Sequence, residues 1–302
     1  MNYFEKKLSI DGSYAKYYFQ EANEEIDSAR KYPTIVICPG GAYLWTSFRE
    51  DESVALRFLA EGFHVAVVHY ATEGREVMAV SDSEKLPVNP VSMFPNPLVS
   101  LAEAVAFLRE NSEQFAIDPD YIIVGGFSAG GNVAGLLGTR WHEEWLEKLV
   151  GKDKSLYRPT HLLLAYAAYD LKPKTANSTS IDNVLYAATG DVNPSEATIK
   201  ELNLISNVSS LTPPTFIWHT REDVLTPSIG ALEFSLELEK AGIPYELHLF
   251  DKGKHGLVLG DLRTGTKASN MNAQVYKWID LFLEWIVPYK TRNGGFYHPI
   301  EN

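Results

Sequence analysis

The chain has 302 residues, and its 39 Asp and Glu residues outnumber its 27 Lys and Arg residues, which gives a formal net charge of −12. Its 45% hydrophobic and 22% charged residues are the composition of a folded globular protein and exclude a disordered chain. The acidic balance argues against nucleic acid or an anionic membrane surface as the main partner.

The single cysteine, Cys38, excludes an intramolecular disulfide and a zinc site built from cysteines. The first residues carry mixed charges and lack the apolar segment of a secretion signal. The longest apolar run, over residues 162–169, is too short to cross a bilayer. We therefore expect a soluble protein in the cytoplasm that does not bind membranes.

In chain order, residues 4–20 are predicted to form a β-hairpin with Asp11-Gly12 as its turn. A β-branched run over 34–38 indicates a buried strand that ends at Pro39-Gly40-Gly41. The next helix carries its apolar side chains on one face and stops before Gly62, and a second buried strand follows over 64–68.

The second half of the chain repeats this alternation of helix and strand. Apolar residues at helical spacing over 98–108 predict the clearest helix, and further strands are predicted over 121–124, 161–165, 215–219 and 245–250. Thr226-Pro227 is typical of a helix start, so a helix is predicted from there to Gly242. The last helix carries a row of apolar residues, namely Val275, Trp278, Ile279, Phe282, Trp285 and Ile286.

Strands that alternate with helices predict an α/β fold, with a mostly parallel, doubly wound sheet and helices on both of its faces. We expect residues 1–302 to form a single domain. Residues 71–96 and 171–213 do not follow the alternation, apart from one short helix predicted from Asn193-Pro194. Because both segments leave the end of a strand, where such sheets bind ligands, we interpret them as loops or cap elements over a site.

The sequence Gly126-Phe127-Ser128-Ala129-Gly130 is a G-x-S-x-G motif between a predicted strand and a predicted helix. A nucleophilic serine needs such a turn, because the turn exposes the hydroxyl at the sheet edge beside the helix N-terminus. The alternative is a glycine-rich turn for packing or for a phosphate. A P-loop would carry Lys and Ser or Thr where Gly131 and Asn132 stand, which argues against nucleotide binding.

A serine nucleophile of this kind requires an acid and then a histidine further along the chain. Asp223 follows the predicted strand 215–219, and His255 follows the strand 245–250 in a Gly-flanked loop. Asp170 and Glu222 are the alternatives for the acid. Five other histidines lie within or at the ends of predicted strands, where we expect core or sheet-face positions: His64, His69, His161, His219 and His248.

The turn Pro39-Gly40-Gly41-Ala42 follows the first strand of the repeat. Its two glycines allow backbone N–H groups to point toward Ser128, so the N–H groups of Gly41, Ala42 and Ala129 are predicted to form an oxyanion hole. Alone, this motif would equally fit an ordinary turn.

These residues together resemble the small bacterial esterases of the α/β-hydrolase superfamily, which relate to the hormone-sensitive-lipase-like and acetylxylan-esterase-like groups. The resemblance covers roughly residues 30 to 285, although Pro39-Gly40-Gly41-Ala42 stands where the hormone-sensitive-lipase-like group has H-G-G-G. It implies a serine esterase for short acyl esters such as acetylated sugars, with Ser128, Asp223 and His255 as its triad.

The predicted function is therefore a serine carboxylesterase that acts on a small-molecule ester and requires no metal or organic cofactor. Tyr43 and Trp45, with Phe48, follow the oxyanion turn, where they could stack on a sugar ring or belong to the core. An amidase, formamidase or peptidase on the same triad stays open, as does a binding module without catalysis. Neither the natural substrate nor the oligomeric state follows from the sequence.

Overall fold

A computed structural model of the protein describes residues 1–171 and 182–291, and eight strands make up its central sheet. The strands are β1 (Asn2–Lys7), β2 (Tyr14–Phe19), β3 (Tyr32–Cys38), β4 (His64–His69), β5 (Ile117–Phe127), β6 (His161–Ala165), β7 (Thr215–Thr220) and β8 (Tyr245–Phe250). All the strands predicted from the sequence are present. β5 is longer than predicted, because its pairing continues through Phe127 to the turn with Ser128.

The order of the strands in the sheet is β1-β2-β4-β3-β5-β6-β7-β8. β1 and β2 form the predicted antiparallel hairpin, and β2 pairs antiparallel with β4. Every other neighbouring pair is parallel, from β4 across to β8. The predicted fold class, an α/β fold with a mostly parallel, doubly wound sheet, is confirmed. The structure adds that the order of successive strands reverses at β3.

Alternate residues of the central strands face two separate cores. On β3, Val36 and Cys38 face one core, and Ile35 and Ile37 face the other. This is the two-residue period of a strand that is buried on both sides, and it explains the continuous apolar run in the sequence.

The helices supply the two outer layers. They are α1 (Glu52–Ala60), α2 (Asn96–Glu110), α3 (Ala129–Arg140), α4 (Glu144–Val150), α5 (Lys154–Tyr157), α6 (Asn183–Thr189), α7 (Glu196–Glu201), α8 (Ile229–Ala241) and α9 (Trp278–Thr291). Side chains of α2, α3 and α8 fill one core, and those of α1 and α9 fill the other. Helices therefore lie on both faces, as the alternation predicted.

The register of the parallel strands brings three strand ends to one edge of the sheet. Cys38 at the end of β3 pairs with Gly126, and Phe127 at the end of β5 pairs with Ala165 on β6. The loops that leave β3, β5 and β6 are consequently neighbours, and the loops after β7 and β8 open at the same edge.

The two segments predicted as irregular contain more structure than expected, and they pack on each other. Residues 71–96 include two 3-10 turns, Arg75–Ala79 and Ser83–Lys85. The second segment holds α6, which the sequence analysis missed, and α7, which begins at Glu196 two residues after the predicted start. The Asn183 amide donates to the carbonyls of Met78 and Val80 at 3.1 and 3.2 Å, and Ser92 Oγ donates to the Ala187 carbonyl at 2.7 Å.

The predicted start of the helix at Thr226-Pro227 is wrong, because α8 begins at Ile229 with Ser228 as its N-cap residue. The Thr226 hydroxyl forms other hydrogen bonds, which are described below. The predicted end at Gly242 is correct, since Gly242 caps the helix with a φ of 71°. Part of the second irregular segment, residues 172–181, lies outside the described residues, and a single domain over 1–302 stays a prediction.

Candidate active site

Ser128 stands at the sharp turn between β5 and α3, with a φ of 53° and a ψ of −121°. A residue with a side chain rarely adopts this conformation, so the turn is strained and has to be held by its surroundings. The side chain makes no capping hydrogen bond to α3. Its hydroxyl is therefore available at the edge of the sheet.

The two glycines of the G-x-S-x-G motif are explained by close backbone contacts. A Cβ atom on Gly126 would overlap the Gly130 carbonyl, and a Cβ on Gly130 would overlap the carbonyls of Cys38 and Pro39. The turn with Ser128 thus packs directly against the end of β3. This contact brings the nucleophile's turn and the predicted oxyanion turn together.

His255 and Asp223 meet Ser128 in one line of hydrogen bonds. His255 Nε2 lies 2.8 Å from Ser128 Oγ, and His255 Nδ1 lies 2.7 Å from Asp223 Oδ2. Ser128 comes from the β5–α3 turn, and Asp223 and His255 come from the loops after β7 and β8. The arrangement can deprotonate the serine hydroxyl and stabilise the imidazolium that results.

Asp223 is buried, and three further hydrogen bonds from its own loop hold its carboxylate. Oδ1 accepts hydrogen bonds from the N–H groups of Leu225 at 2.9 Å and Thr226 at 3.1 Å, and Oδ2 accepts one from the Thr226 hydroxyl at 3.0 Å. Burial alone would raise the pKa of Asp223. The hydrogen bond and charge of His255 and the Thr226 N–H outweigh burial, so the pKa lies below its ordinary value and the group stays ionised.

Thr226 is a site residue that the sequence analysis assigned to a helix start. Its hydroxyl lies 3.1 Å from His255 Nδ1 and 3.0 Å from the Tyr166 carbonyl, besides its bond to Asp223. Its position three residues after the acid, in the same loop, was the only signal in the sequence.

The alternative acids lie elsewhere. Glu222 points away and accepts hydrogen bonds from Lys252 Nζ and the Gly253 N–H. Asp170 lines the cleft beside the site, but Asp223 is the carboxylate at His255 Nδ1. Of the other histidines, His64 and His161 are buried in strands, and burial lowers the pKa of each to about 4.

The predicted oxyanion turn follows β3 and lies beside Ser128. Gly41 has a φ of 138°, and a Cβ there would overlap the Trp45 carbonyl, so only glycine fits. Ala42 also has a positive φ, of 59°. Among the described residues, the N–H groups of Gly41 and Ala42 form no backbone hydrogen bond, and both residues line the cleft with Ala129 at the N-terminus of α3.

Tyr43 does not line the cleft, so of the two alternatives left open for it, a stacking role and a core position, the structure shows the core position. Its ring is 1% exposed and packs in the core, and its hydroxyl donates to Asn132 Oδ1 at 2.6 Å. The Asn132 amide in turn donates to the carbonyls of Ala168 and Leu202. Tyr43 therefore ties the oxyanion turn to α3.

Trp45 lines the cleft, whereas Phe48 lies on the surface outside it. The cleft has a volume of about 800 Å³ and includes Ser128 and His255. Its wall is formed partly by the two irregular segments, through Met78, Leu171, Asp182, Val184 and Leu185, and partly by the loop after β7, through Val224 and Leu225. Whether Trp45 binds a sugar stays a prediction.

Within the described ranges no group of three or more His, Cys, Asp or Glu side chains is arranged to hold a metal ion. No helix in the described part of the chain has the length and apolar character needed to span a membrane. The cytoplasmic location expected from the sequence stays a prediction.

Comparison with solved structures agrees with the predicted α/β-hydrolase fold. The carboxylesterase Cest-2923 from Lactobacillus plantarum WCFS1 has a TM-score of 0.80 at 23% identity, covering 96% of this chain and 98% of that one. An acetyl ester-xyloside bifunctional hydrolase from Caldicellulosiruptor lactoaceticus has a TM-score of 0.69 at 29% identity, covering 92% and 88%.

Among curated proteins, endo-1,4-beta-xylanase B of Butyrivibrio fibrisolvens is 28% identical over 231 residues, which are 76% of this chain and 33% of the xylanase. The chain spans between 33% and 56% of the length of the curated relatives that it matches. The BD-FAE family model matches residues 23–238, well over half of the chain. The chain therefore belongs to the BD-FAE family.

Proposed function

We propose that the protein hydrolyses carboxylic esters with short acyl groups, with Ser128 as the nucleophile. The observation that carries the proposal is the line of hydrogen bonds from Ser128 Oγ through His255 to Asp223, at 2.8 and 2.7 Å. The esterases and carboxylesterases among its relatives and structural neighbours support the same class of reaction.

The mechanism is acyl transfer in two steps. His255 takes the proton of Ser128 Oγ as the oxygen attacks the ester carbonyl, and the N–H groups of Gly41, Ala42 and Ala129 stabilise the oxyanion. The imidazolium then gives its proton to the departing alcohol, which leaves an acyl-enzyme. Water, deprotonated by His255, attacks that acyl group, and the imidazolium returns the proton to Ser128 Oγ as the carboxylic acid is released.

Acetylated sugars are the substrates that we propose. The cleft of about 800 Å³ is large enough for a sugar residue, and the aromatic side chain of Trp45 lines it together with Ser128. The printed names of two similar proteins, a xylanase and an acetyl ester-xyloside hydrolase, support this choice.

The test is hydrolysis of p-nitrophenyl acetate, butyrate and octanoate by the wild type, Ser128→Ala and Ser235→Ala. Ser235 is the matched control, because among the described residues its buried hydroxyl bonds only to the Ala231 carbonyl within α8. We expect the rate to fall with chain length. We expect Ser128→Ala to lose at least about 1,000-fold in kcat and the control to lose little.

Activity of Ser128→Ala within tenfold of the wild type would refute the proposed nucleophile. Cleavage of p-nitroacetanilide in preference to every ester would instead identify an amidase on the same residues. Acetate release from acetylated xylo-oligosaccharides then tests the proposed sugar substrates.

A further inference from the structure

A second buried carboxyl group lines the cleft, and the proposed mechanism does not use it. Glu50 closes the 3-10 turn Phe48–Glu50 ahead of α1 and is 4% exposed, yet it is among the residues that line the cleft. None of the ion pairs found among the described residues includes Glu50, and the charges of Arg49 and His255 act on its carboxyl only from beyond ion-pair distance. A buried acid without a cation in contact is costly, which indicates that its hydrogen bonds matter.

One oxygen of Glu50 holds the start of the oxyanion turn. The Gly40 N–H donates to Glu50 Oε2 at 2.6 Å, and Gly41 and Ala42 follow directly in the chain. A Cβ on Gly40 would lie 2.9 Å from Glu50 Oε2 and 2.9 Å from Ser128 Cβ. The carboxyl, the turn and the nucleophile are therefore packed together, with a glycine where any larger residue would separate them.

The other oxygen of Glu50 holds Tyr166, at the end of β6. The Tyr166 hydroxyl donates to Glu50 Oε1 at 2.5 Å, although the two residues are 116 positions apart. Tyr166 has a φ of 36°, a strained conformation for a residue with a side chain. The bond to Glu50 and the contact of the Tyr166 N–H with the Trp218 carbonyl, at 2.9 Å, hold it there.

Tyr166 in turn contacts the histidine side of the site twice. Its ring meets the imidazole of His255 edge to face, with the ring centres 5.1 Å apart. Its carbonyl accepts the Thr226 hydroxyl, which also bonds to Asp223. Displacement of Tyr166 would thus move the imidazole and the loop that carries the acid.

We propose that Glu50 and Tyr166 are a pair of positioning residues that hold the oxyanion turn and the His255 imidazole in register with Ser128. This inference rests on the proposed esterase function. It predicts that breaking the link lowers transition-state stabilisation more than substrate binding, because the groups it holds act on the developing oxyanion and on the proton.

The test compares Glu50→Gln, Tyr166→Phe and the double variant with the wild type on p-nitrophenyl acetate. Tyr157→Phe is the matched control, because the hydroxyl of that buried tyrosine has no hydrogen-bond partner among the described residues. We expect each single variant to lower kcat by about 10- to 100-fold and to leave KM within about threefold of the wild type. A fall of this size is no larger than the fall in kcat that follows removal of one oxyanion-hole donor.

Two further readouts separate positioning from a loss of fold. Inhibition by an alkyl boronic acid, which forms a tetrahedral adduct on the serine, should weaken in parallel with kcat. The double variant should lose little more than the worse single variant, because both changes break the same link. Thermal melting shows whether each variant is folded at the assay temperature, and Tyr166→Phe, which removes one oxygen only, decides the outcome if Glu50→Gln does not fold.

Folded variants with kcat within twofold of the wild type would overturn the inference, as would losses that multiply in the double variant. Ser128→Ala is measured in the same series. If the wild type is active and Ser128→Ala is not, unchanged Glu50 and Tyr166 variants overturn the positioning role alone. If Ser128→Ala keeps its activity, the proposed function fails and the positioning role fails with it.

Discussion

The substitution Tyr43→Phe separates a structural role of this side chain from a role in substrate binding. It removes one oxygen, which donates to Asn132 Oδ1 at 2.6 Å in a region without access to water. We expect the free energy of unfolding to fall by about 1–2 kcal/mol, and KM for p-nitrophenyl acetate to stay within about twofold of the wild type.

The size of the expected fall in stability follows from the hydrogen bonds that the Asn132 amide keeps. Its two N–H bonds, to the Ala168 carbonyl at 2.7 Å and the Leu202 carbonyl at 2.9 Å, survive the substitution, so only its oxygen loses a partner. A neutral hydrogen bond contributes about 1 kcal/mol, and a stranded buried acceptor adds to the loss. Asn132→Ala breaks all three bonds and leaves a cavity, so its cost should reach about 3–5 kcal/mol.

The assay is urea unfolding followed by fluorescence, with kinetics on the same preparations. Tyr17→Phe is the control, because the Tyr17 hydroxyl is buried and finds no hydrogen-bond partner among the described residues. The double variant with Asn132→Ala should show a coupling energy of about 1 kcal/mol. A KM raised more than fivefold with unchanged stability would show that Tyr43 binds substrate, and would refute the reasoning.

Two further predictions concern substrate binding in the cleft and the loss of folding stability at low pH. Trp45→Ala should raise KM for an acetylated xylo-oligosaccharide about 5- to 10-fold, because an aromatic contact contributes about 1 kcal/mol or more. The kcat on p-nitrophenyl acetate should stay within about threefold of the wild type. Steady-state kinetics on both substrates check this. Burial would raise the pKa of Asp51, but the His69 and Lys16 side chains beside its carboxylate lower it below the ordinary 3.8. The contribution of Asp51 to stability is therefore present above about pH 4 and is lost as the pH falls through the folded-state pKa. Asp51→Asn should therefore cost about 2 kcal/mol at pH 7, and the cost should shrink below pH 4; equal losses at pH 7 and pH 3 in urea titrations would contradict this account.

The sequence was sufficient for the sheet, and it named the three side chains that the structure brings together, because both signals are local. A β-branched run is buried on both faces wherever it pairs, and β3 is such a run. The G-x-S-x-G motif needs only one turn of chain, and Asp223 and His255 each follow directly on a strand. Parallel strands then bring these local features to one edge.

Contacts between distant parts of the chain were beyond the sequence. Tyr43 and Asn132 are 89 positions apart, so nothing local distinguishes a core tyrosine from one that faces a ligand. The same holds for Glu50, whose two donors come from different loops. The pattern at Thr226-Pro227 is a valid helix start, but the bonds of its hydroxyl to Asp223 and Tyr166 took precedence over capping.

The missed helix α6 was, in contrast, readable. Asp182 caps its N-terminus by accepting from the Leu185 N–H at 3.2 Å, and Gly190 ends it with a φ of 80°. Both are ordinary boundary signals, and the seven residues between them form an apolar segment. They were obscured by the Ser-, Thr- and Asn-rich residues before them, which are typical of a loop.

The structure separates the parts that would carry the chemistry from the parts that would select the substrate. The Asp223 loop shows this within a few residues. Its backbone is fixed, because the N–H groups of Leu225 and Thr226 bond to the Asp223 carboxylate, whereas the Val224 and Leu225 side chains are 85% and 72% exposed and line the cleft. Side chains that stabilise nothing in the fold can be exchanged at little cost, while the acid beside them stays in place. We therefore expect substitutions on this rim to change the substrate range without loss of the geometry of Ser128, His255 and Asp223.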